Sequence, residues 1–354
     1  MTIDYHWRRD SGARIQGSRG LDFLKVQAPC IVRRRTGGFR LFYTAIGPEK
    51  PYPSCQGYIL SAVSDDGVIF RLEPGIRVLP QPSLSHMSLR VLAPTVTECA
   101  DGLWRMYFEA RGSADEPTVI CSAVSADMIH WEHEAGIRLR GVNGFGGPRY
   151  LTLPDGQGRL YCFVVELNED GERISQSIVS AITKDGLSFE LEPGCRIQDR
   201  QSEYDNAGIT AAEVIPPAMD GGRWTVMFSV WEDVPTGTAL PLHPSRDSDA
   251  IKSGRSENFA AASIAADMAG YRSRIFSAHS RDGLAWGKAQ CLIEGDGYGR
   301  DGLDAVHAED MSVIRLDDGG YRMYYAACDK HGNWRIASAV TRETSLESGC
   351  LSDS

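Results

Sequence analysis

An all-β propeller of five four-stranded blades is the fold the sequence predicts, and three recurring patterns predict it. Second strands alternate bulky apolar with other side chains at Phe39-Arg40-Leu41-Phe42-Tyr43, Trp104-Arg105-Met106-Tyr107-Phe108, Arg159-Leu160-Tyr161-Cys162-Phe163, Trp224-Thr225-Val226-Met227-Phe228 and Tyr321-Arg322-Met323-Tyr324-Tyr325. A Gly-containing turn precedes each: Gly37-Gly38, Asp101-Gly102, Asp155-Gly156, Asp220-Gly221-Gly222 and Asp317-Asp318-Gly319-Gly320. A Ser-Ala pair marks each third strand, at Ser61-Ala62, Ser122-Ala123, Ser180-Ala181, Ser277-Ala278 and Ser338-Ala339. Four-stranded units recurring along a chain are the sequence signature of a propeller.

The stretch from Arg90 to His133 shows a whole unit. Ala93-Pro94-Thr95-Val96 opens it, Trp104 to Phe108 and Val119 to Val124 alternate, and Ile129-His130-Trp131-Glu132 closes it. Fourth strands elsewhere carry an aromatic after a turn: Asp66-Gly67 then Phe70, Asp127-Met128 then Trp131, Asp185-Gly186 then Phe189, Asp282-Gly283 then Trp286. The fifth copy, Thr341-Arg342-Glu343-Thr344, has no aromatic after it, and Tyr5-His6-Trp7-Arg8 supplies the match. The N-terminal strand is therefore expected to join the last blade and pair an otherwise exposed edge, making residues 1–354 one closed domain.

The aromatics lie 61 residues apart from Phe70 to Trp131 and 58 from Trp131 to Phe189, but 97 from Phe189 to Trp286. Blade four thus carries an insertion at about 235–274, read as a lid with an Ala-rich helix from about Ser256 to Met268. Tracing the chain from the start of each inner strand puts this insertion and the other long connections on one face. The ligand pocket is expected there, where the central channel opens.

Composition bounds the partners. The 354 residues are 42% hydrophobic and 24% charged, as in an ordinary globular chain. A formal net charge of -10 and a pI near 5.3 supply no basic stripe, so neither nucleic acid nor an anionic membrane is an expected partner. The one cationic run, Arg33-Arg34-Arg35, reads as a solvated strand end. No apolar leader opens the chain and no run approaches the length of a spanning helix. Nine cysteines without C-x-x-C spacing, with Cys30, Cys121 and Cys162 inside apolar strands, read as buried thiols of a cytoplasmic protein.

Channel-lining positions follow from register. Eleven residues before each second strand stand Ala28, Ala93, Gly147, Glu213 and Asp310. Glu213 and Asp310 sit inside otherwise apolar runs, where an acid is costly without partners or work to do, and Glu309 is the alternative if the register slips by one. Arg149, two residues beyond Gly147, is expected to face the channel and meet an anionic group, either Glu213 or a substrate anion. Further polar candidates are His86 and Arg90 before blade two, Tyr204 and Asp205 before blade four, and His307 before blade five. No metal or other cofactor is called for, because His86, His307 and Asp310 lack local ligand spacing.

The Ala28-Pro29, Ala93-Pro94 and Gly147-Pro148 starts of inner strands, the Tyr324-Tyr325 second strand and the Ser-x-Asp-Gly-x-x-aromatic blade ends resemble the five-bladed propeller glycosidases, the superfamily of arabinanases, β-xylosidases and invertases. That resemblance implies a first-blade Asp as base or nucleophile, a third-blade Asp that orients or tunes, and a Glu on a later inner strand as general acid. Here the first two positions read Gln27-Ala28-Pro29 and Gly147-Pro148, so both acids are missing. Glu213 takes the implied role of acid, Asp310 that of partner base, and Val306-His307-Ala308 is similar to the family's central His. Gln27 is then a substrate-binding candidate in place of the missing Asp.

Three functions fit these residues. One is a glycoside hydrolase acting on a saccharide through channel carboxylates. Another is a non-hydrolytic isomerase, lyase or cyclase on a small polar or anionic metabolite, working with Glu213, Arg149 and a His. The third is a sugar-binding degenerate propeller. A second carboxylate near the general acid separates the first from the others.

Overall fold

The computed structural model describes residues 6–17, 20–22, 25–47, 57–112, 116–168, 173–198, 208–218, 222–233, 271–297 and 300–341. Among them the chain is all-β apart from one 3-10 turn at Ser85–Met87, as alternating side chains broken by Gly turns dictate. No described helix is long and apolar enough to cross a membrane.

Two short strands, β1 (Arg8–Arg9) and β2 (Ile15–Gln16), precede a series of antiparallel units. The first unit holds β3 (Lys25–Arg33), β4 (Phe39–Ile46), β5 (Gly57–Ser64) and β6 (Arg71–Leu72); the second holds β7 (Arg90–Glu98), β8 (Trp104–Arg111), β9 (Val119–Ser125) and β10 (Glu132–His133). The third holds β11 (Gly146–Thr152), β12 (Gly158–Leu167), β13 (Arg173–Thr183), β14 (Glu190–Leu191) and β15 (Ile197–Gln198). The fourth holds β16 (Gly208–Ile215), β17 (Trp224–Asp233), β18 (Tyr271–Ser280) and β19 (Gln290–Ile293). The last holds β20 (His307–Arg315), β21 (Tyr321–Cys328) and β22 (Trp334–Thr341), and both N-terminal strands pair with β22, Arg8 opposite Val340 and Ile15 opposite Ile336. Parallel bridges between Gly57 and Arg90 and between Ser273 and His307 join neighbouring units, giving three sheets.

The apolar core lies between units. Phe42 and Ile59 pack with Trp104 and Phe108, Tyr107 with Leu160, Tyr161 with Phe228, Met227 with Tyr325, and Tyr324 of the last unit with Leu41 of the first. Fully burying one such side chain stabilises by about 1.5–3 kcal/mol.

Polar contacts repeat with the core. Arg40 pairs with Glu73, Arg105 with Glu134, Arg159 with Glu192 and Arg322 with Asp10, and the hydroxyls of Ser61, Ser122, Ser180 and Ser338 donate to the same four carboxylates. The Ser of four of the five Ser-Ala pairs is thus a hydrogen-bond donor there, beyond being small, while the Ala side chains of all five are buried. Tyr107, Tyr161 and Tyr324 hydroxyls donate to the turn carbonyls of Gly186, Gly283 and Gly67 in neighbouring units. The run Arg33-Arg34-Arg35 is a strand end, each residue paired with a carboxylate: Asp317, Asp65 and Glu98. Such exposed pairs contribute at most about 1 kcal/mol each.

Candidate active site

The site is made by a repeated break in the inner strands β3, β7, β11, β16 and β20. Register shifts once in each, between Gln27 and Cys30, Leu92 and Thr95, Gly146 and Arg149, Thr210 and Ala212, and Glu309 and Ser312. At each break one residue is left-handed: Ala28 (φ 47), Ala93 (φ 49), Gly147 (φ 56), Ala211 (φ 48) and Asp310 (φ 50). A residue with a Cβ pays about 1–2 kcal/mol for this conformation, so the bulge has to be held. Three are held alike, by the second strand of the preceding unit. The N–H groups of Ala93, Gly147 and Asp310 donate to Thr44 Oγ1 at 2.7 Å, Glu109 Oε2 at 3.1 Å and Ser229 Oγ at 2.9 Å.

This corrects one position of the register count. The hairpin ends pair Arg33 with Phe39, Glu98 with Trp104, Thr152 with Gly158 and Arg315 with Tyr321, but Ile215 with Thr225. The fourth hairpin is longer, so Ala211, not Glu213, matches Ala28, Ala93, Gly147 and Asp310. Glu213 instead matches Arg149, two residues further along the inner strand.

The two levels open into different cavities. The upper one, about 490 Å³ of empty space partly open to solvent, lies at the start of the inner strands and is lined by Gln27, Glu109, Thr210, Glu309 and Asp310 between the aromatic walls Phe163 and Trp231. Buried Gln27 Oε1, Glu109 Oε1 and Thr210 Oγ1 have no hydrogen-bond partner among the described residues. Unpaired buried acceptors cost about 1–3 kcal/mol each, a cost that any group donating to them would relieve. No Lys, Arg or His among the described residues lines it.

Its three carboxylates differ. Burial pushes Glu109 up to about 7, and Gly147 N–H, Arg111 and Arg90 only partly oppose it. Asp310 is also raised well above the usual carboxylate range, by burial first and by the charge of Glu309 next, against Lys25 and Arg149. For Glu309 burial acts upward too, but Lys25 and His307 outweigh it and the group is lowered. Its Oε1 lies 3.4 Å from buried Lys25 Nζ, and Trp231 Nε1 donates to its Oε2 at 3.0 Å. The cavity therefore holds one firmly ionised carboxylate beside two that bind protons near neutrality.

The lower cavity, about 440 Å³ of empty space, is lined by Cys30, Thr95, Arg149, Tyr161, Glu213 and Ser312 among others. Arg149, one of these lining residues, is buried. Its guanidinium donates to the carbonyls of Pro94 at 2.7 Å, Pro29 at 2.8 Å and Met311 at 3.0 Å, and Nε lies 3.0 Å from Glu213 Oε2. Glu213 also accepts the Val313 N–H at 3.1 Å. Burial raises this carboxyl group while Arg149 and the Val313 N–H act against it. Arg149 thus does meet a protein carboxylate, and its fork is spent on four inner strands.

The remaining expected residues scatter. Arg90 is fully buried behind Glu109, and His86 sits in the 3-10 turn beside Gly112, neither lining the upper cavity. His307 is buried and does not line it, stacked on Trp334 with ring centroids 5.1 Å apart and its Nδ1 3.1 Å from Ser273 Oγ; burial lowers it to about 4. No group of three or more His, Cys, Asp or Glu that could hold a metal occurs among the described residues. Tyr204 and Asp205 lie outside the described residues, as does the expected lid with its helix up to Gly270; from Tyr271 the chain is strand β18.

The sequence reading missed Glu109, Thr210, Trp231 and Lys25. Glu109 had a signal: it follows Trp104 by the same interval that separates Thr44 from Phe39 and Ser229 from Trp224, an acid in an otherwise apolar second strand.

The chain matches no protein-family model and no curated protein. Solved structures do match it. A β-1,2-mannobiose phosphorylase from Listeria innocua, in complex with β-1,2-mannobiose, superposes with a TM-score of 0.65 at 13% identity over 96% of this chain and 97% of that one. An endo-arabinase from Bacteroides thetaiotaomicron gives 0.58 at 14% identity over 94% and 97%, and a thermostable family-43 glycoside hydrolase 0.59 at 14% over 93% and 90%. At such identities the likeness is one of fold. Its members are glycoside hydrolases and phosphorylases of the five-bladed propeller superfamily that the sequence resembles.

Proposed function

We propose that the protein is a carbohydrate-active enzyme that hydrolyses a glycosidic bond of an uncharged saccharide in the upper cavity, on a five-bladed propeller closed by its N-terminal strand. The pairing of β1 with β22, and the packing of Tyr324 against Leu41, support the closure. So does the interval from Trp7 to Asp10, which repeats those from Phe70 to Glu73, Trp131 to Glu134 and Phe189 to Glu192.

One observation carries the chemistry. Thr44 and Ser229 hold their neighbours' bulges with a single hydroxyl, so Glu109 needs only one oxygen for that task, yet this cavity-lining residue brings a second, buried and without a hydrogen-bond partner among the described residues. A buried carboxylate is far costlier than a hydroxyl and is retained where its proton chemistry is used. Asp310 and Glu109 form the acid–base pair. Asp310, protonated beside the ionised Glu309, delivers its proton to the leaving oxygen, and ionised Glu109 takes a proton from water or faces the developing oxocarbenium charge. Phe163 and Trp231 offer faces on which a sugar ring stacks, and unpaired acceptors at Gln27 and Thr210 suit its hydroxyls.

Hydrolysis is favoured over phosphorolysis, and an uncharged substrate over an anionic one, because the described cavity wall carries carboxylates and no cation. The test is a panel of p-nitrophenyl glycosides and mannose-, arabinose- and xylose-based oligosaccharides, each run with and without inorganic phosphate. Phosphate-independent release of reducing sugar is expected. A sugar 1-phosphate as product would replace hydrolysis by phosphorolysis, and saccharide binding with no cleavage would leave a lectin-like protein.

A further inference from the structure

Glu309 is adjacent to Asp310 and lines the same cavity, yet its oxygens are engaged where those of a reacting group would be open. Oε1 faces Lys25 at 3.4 Å, and Oε2 accepts the Trp231 indole N–H at 3.0 Å. Lys25 is itself fixed, with its ammonium 3.7 Å from the centroid of the Trp334 ring, on which His307 also stacks. An ammonium on an aromatic face, a carboxylate and an indole N–H thus form one buried chain that ends in the aromatic wall of the cavity. Such a chain does two things at once. It stops the Trp231 ring from rotating, and it keeps a negative charge next to Asp310.

We propose that Glu309 is a positioning residue: locked between Lys25 and Trp231, it fixes the indole as the sugar-stacking wall and keeps a negative charge beside Asp310. The indole arm rests on the glycosidase reading of the cavity, whereas the charge arm does not depend on which reaction the cavity runs. The charged groups that act on Asp310 are Glu309 on its own strand, Lys25 on β3, Glu109 on β8 and Arg149 on β11. Glu309 and Glu109 raise it, and Lys25 and Arg149 lower it. His307 acts on Glu309 one step further out, and Arg272 acts in turn on His307. The signs give an ordering that simple loss of structure does not. Removing the Glu309 charge exposes Asp310 to Lys25 and moves its titration down, removing the Lys25 charge moves it up, and removing both cancels most of the change.

The experiment is a 13C carboxyl NMR titration of the unliganded protein, with D310N used to assign the Asp310 resonance. The expected order of Asp310 midpoints is E309Q lowest, K25M highest, and wild type and the K25M/E309Q double variant between them. An unmoved midpoint in E309Q, or a shift of the same sign in K25M, overturns the charge arm even if the protein hydrolyses no glycoside. The indole arm is read with the best p-nitrophenyl glycoside of the panel. In E309Q the amide oxygen still accepts the indole N–H, so KM should stay within about threefold and the alkaline limb of the pH profile should move to lower pH. E309L removes the acceptor, and KM should rise about tenfold. Equal KM values in the two variants overturn that arm, and a loss above about 100-fold in E309Q at every pH makes Glu309 a reacting group instead.

Discussion

Asp310 and Glu213 are both acids in apolar inner strands, both raised by burial, and the structure gives them different partners. Glu213 faces the lower level of the channel, where Arg149 and the Val313 N–H engage both its oxygens. Asp310 faces the upper level, where like charge on Glu309 and burial press it toward the neutral form. Arg149 lines the lower level and is held by carbonyls from three strands. Burial raises both carboxyl groups, and what separates them is the partner: Arg149 and the Val313 N–H occupy both oxygens of Glu213, whereas Asp310 lies beside the like charge of Glu309 in the upper cavity.

The largest expected effect tests that contrast directly. Asp310→Asn keeps shape and burial but removes the proton, so kcat on the hydrolysed glycoside should fall by roughly 10²-fold or more with little change in melting temperature. Glu213→Gln should do the reverse. It leaves the Arg149 charge buried without its carboxylate, which costs on the order of 3 kcal/mol in stability, while kcat in the surviving folded protein stays within a few-fold. Steady-state kinetics and thermal melts on both variants decide it, and an inactive but stable Glu213→Gln would reverse the two assignments.

Glu109 sharpens the comparison from the other side, since it is half structural. Glu109→Thr copies the first unit, where the Thr44 hydroxyl accepts the N–H of Ala93, so the bulge at Gly147 keeps an acceptor. The variant should fold with melting temperature unchanged or raised, because an unpaired buried oxygen is gone, and lose about tenfold to 100-fold in kcat. A fold that collapses instead would make both oxygens structural.

The fold was far more legible in the sequence than the site. Strands, Gly turns and Ser-Ala pairs depend on local alternation, and that survives in one chain read alone. Even the pairing of the N-terminus with β22 could be read, because Trp7 stands where the last repeat lacks its aromatic. The site depends on register across non-local strands. Counting from the second strands placed Asp310 at the bulge but put Glu213 there as well, because the longer fourth hairpin shifts the count and leaves Ala211 at the bulge. Glu109 was invisible to that count because it comes from a second strand and reaches the cavity beside the bulge of the next unit. Lys25 and Trp231 meet at Glu309 from three different units, a contact with no trace in local spacing.

The smallest expected effect concerns stability against pH, and it isolates the upper level. Glu109 titrates at about 7 in the folded protein against an ordinary value of 4.5. The folded state therefore binds its proton more tightly than the unfolded chain. That contribution is fully present below about pH 4.5 and is lost as pH rises through 7. Turn carboxylates behave in the opposite sense: Asp66, Asp127, Asp185 and Asp282 are lowered by backbone N–H donors and weaken the fold only when acid protonates them, well below pH 5. His86, His133 and His307, lowered by burial, oppose the Glu109 trend between pH 5 and 7, and Asp310, raised by burial, adds to it, so the wild-type profile alone is a sum of all of them. The difference between wild type and Glu109→Gln removes the histidines and the turns from the account. Melting temperatures measured from pH 5 to 8 should show wild type losing a few degrees relative to the variant as pH rises, with the change centred near neutrality. Parallel curves would mean that Glu109 is already ionised at pH 5, and the case for it as a group that exchanges protons would go with them.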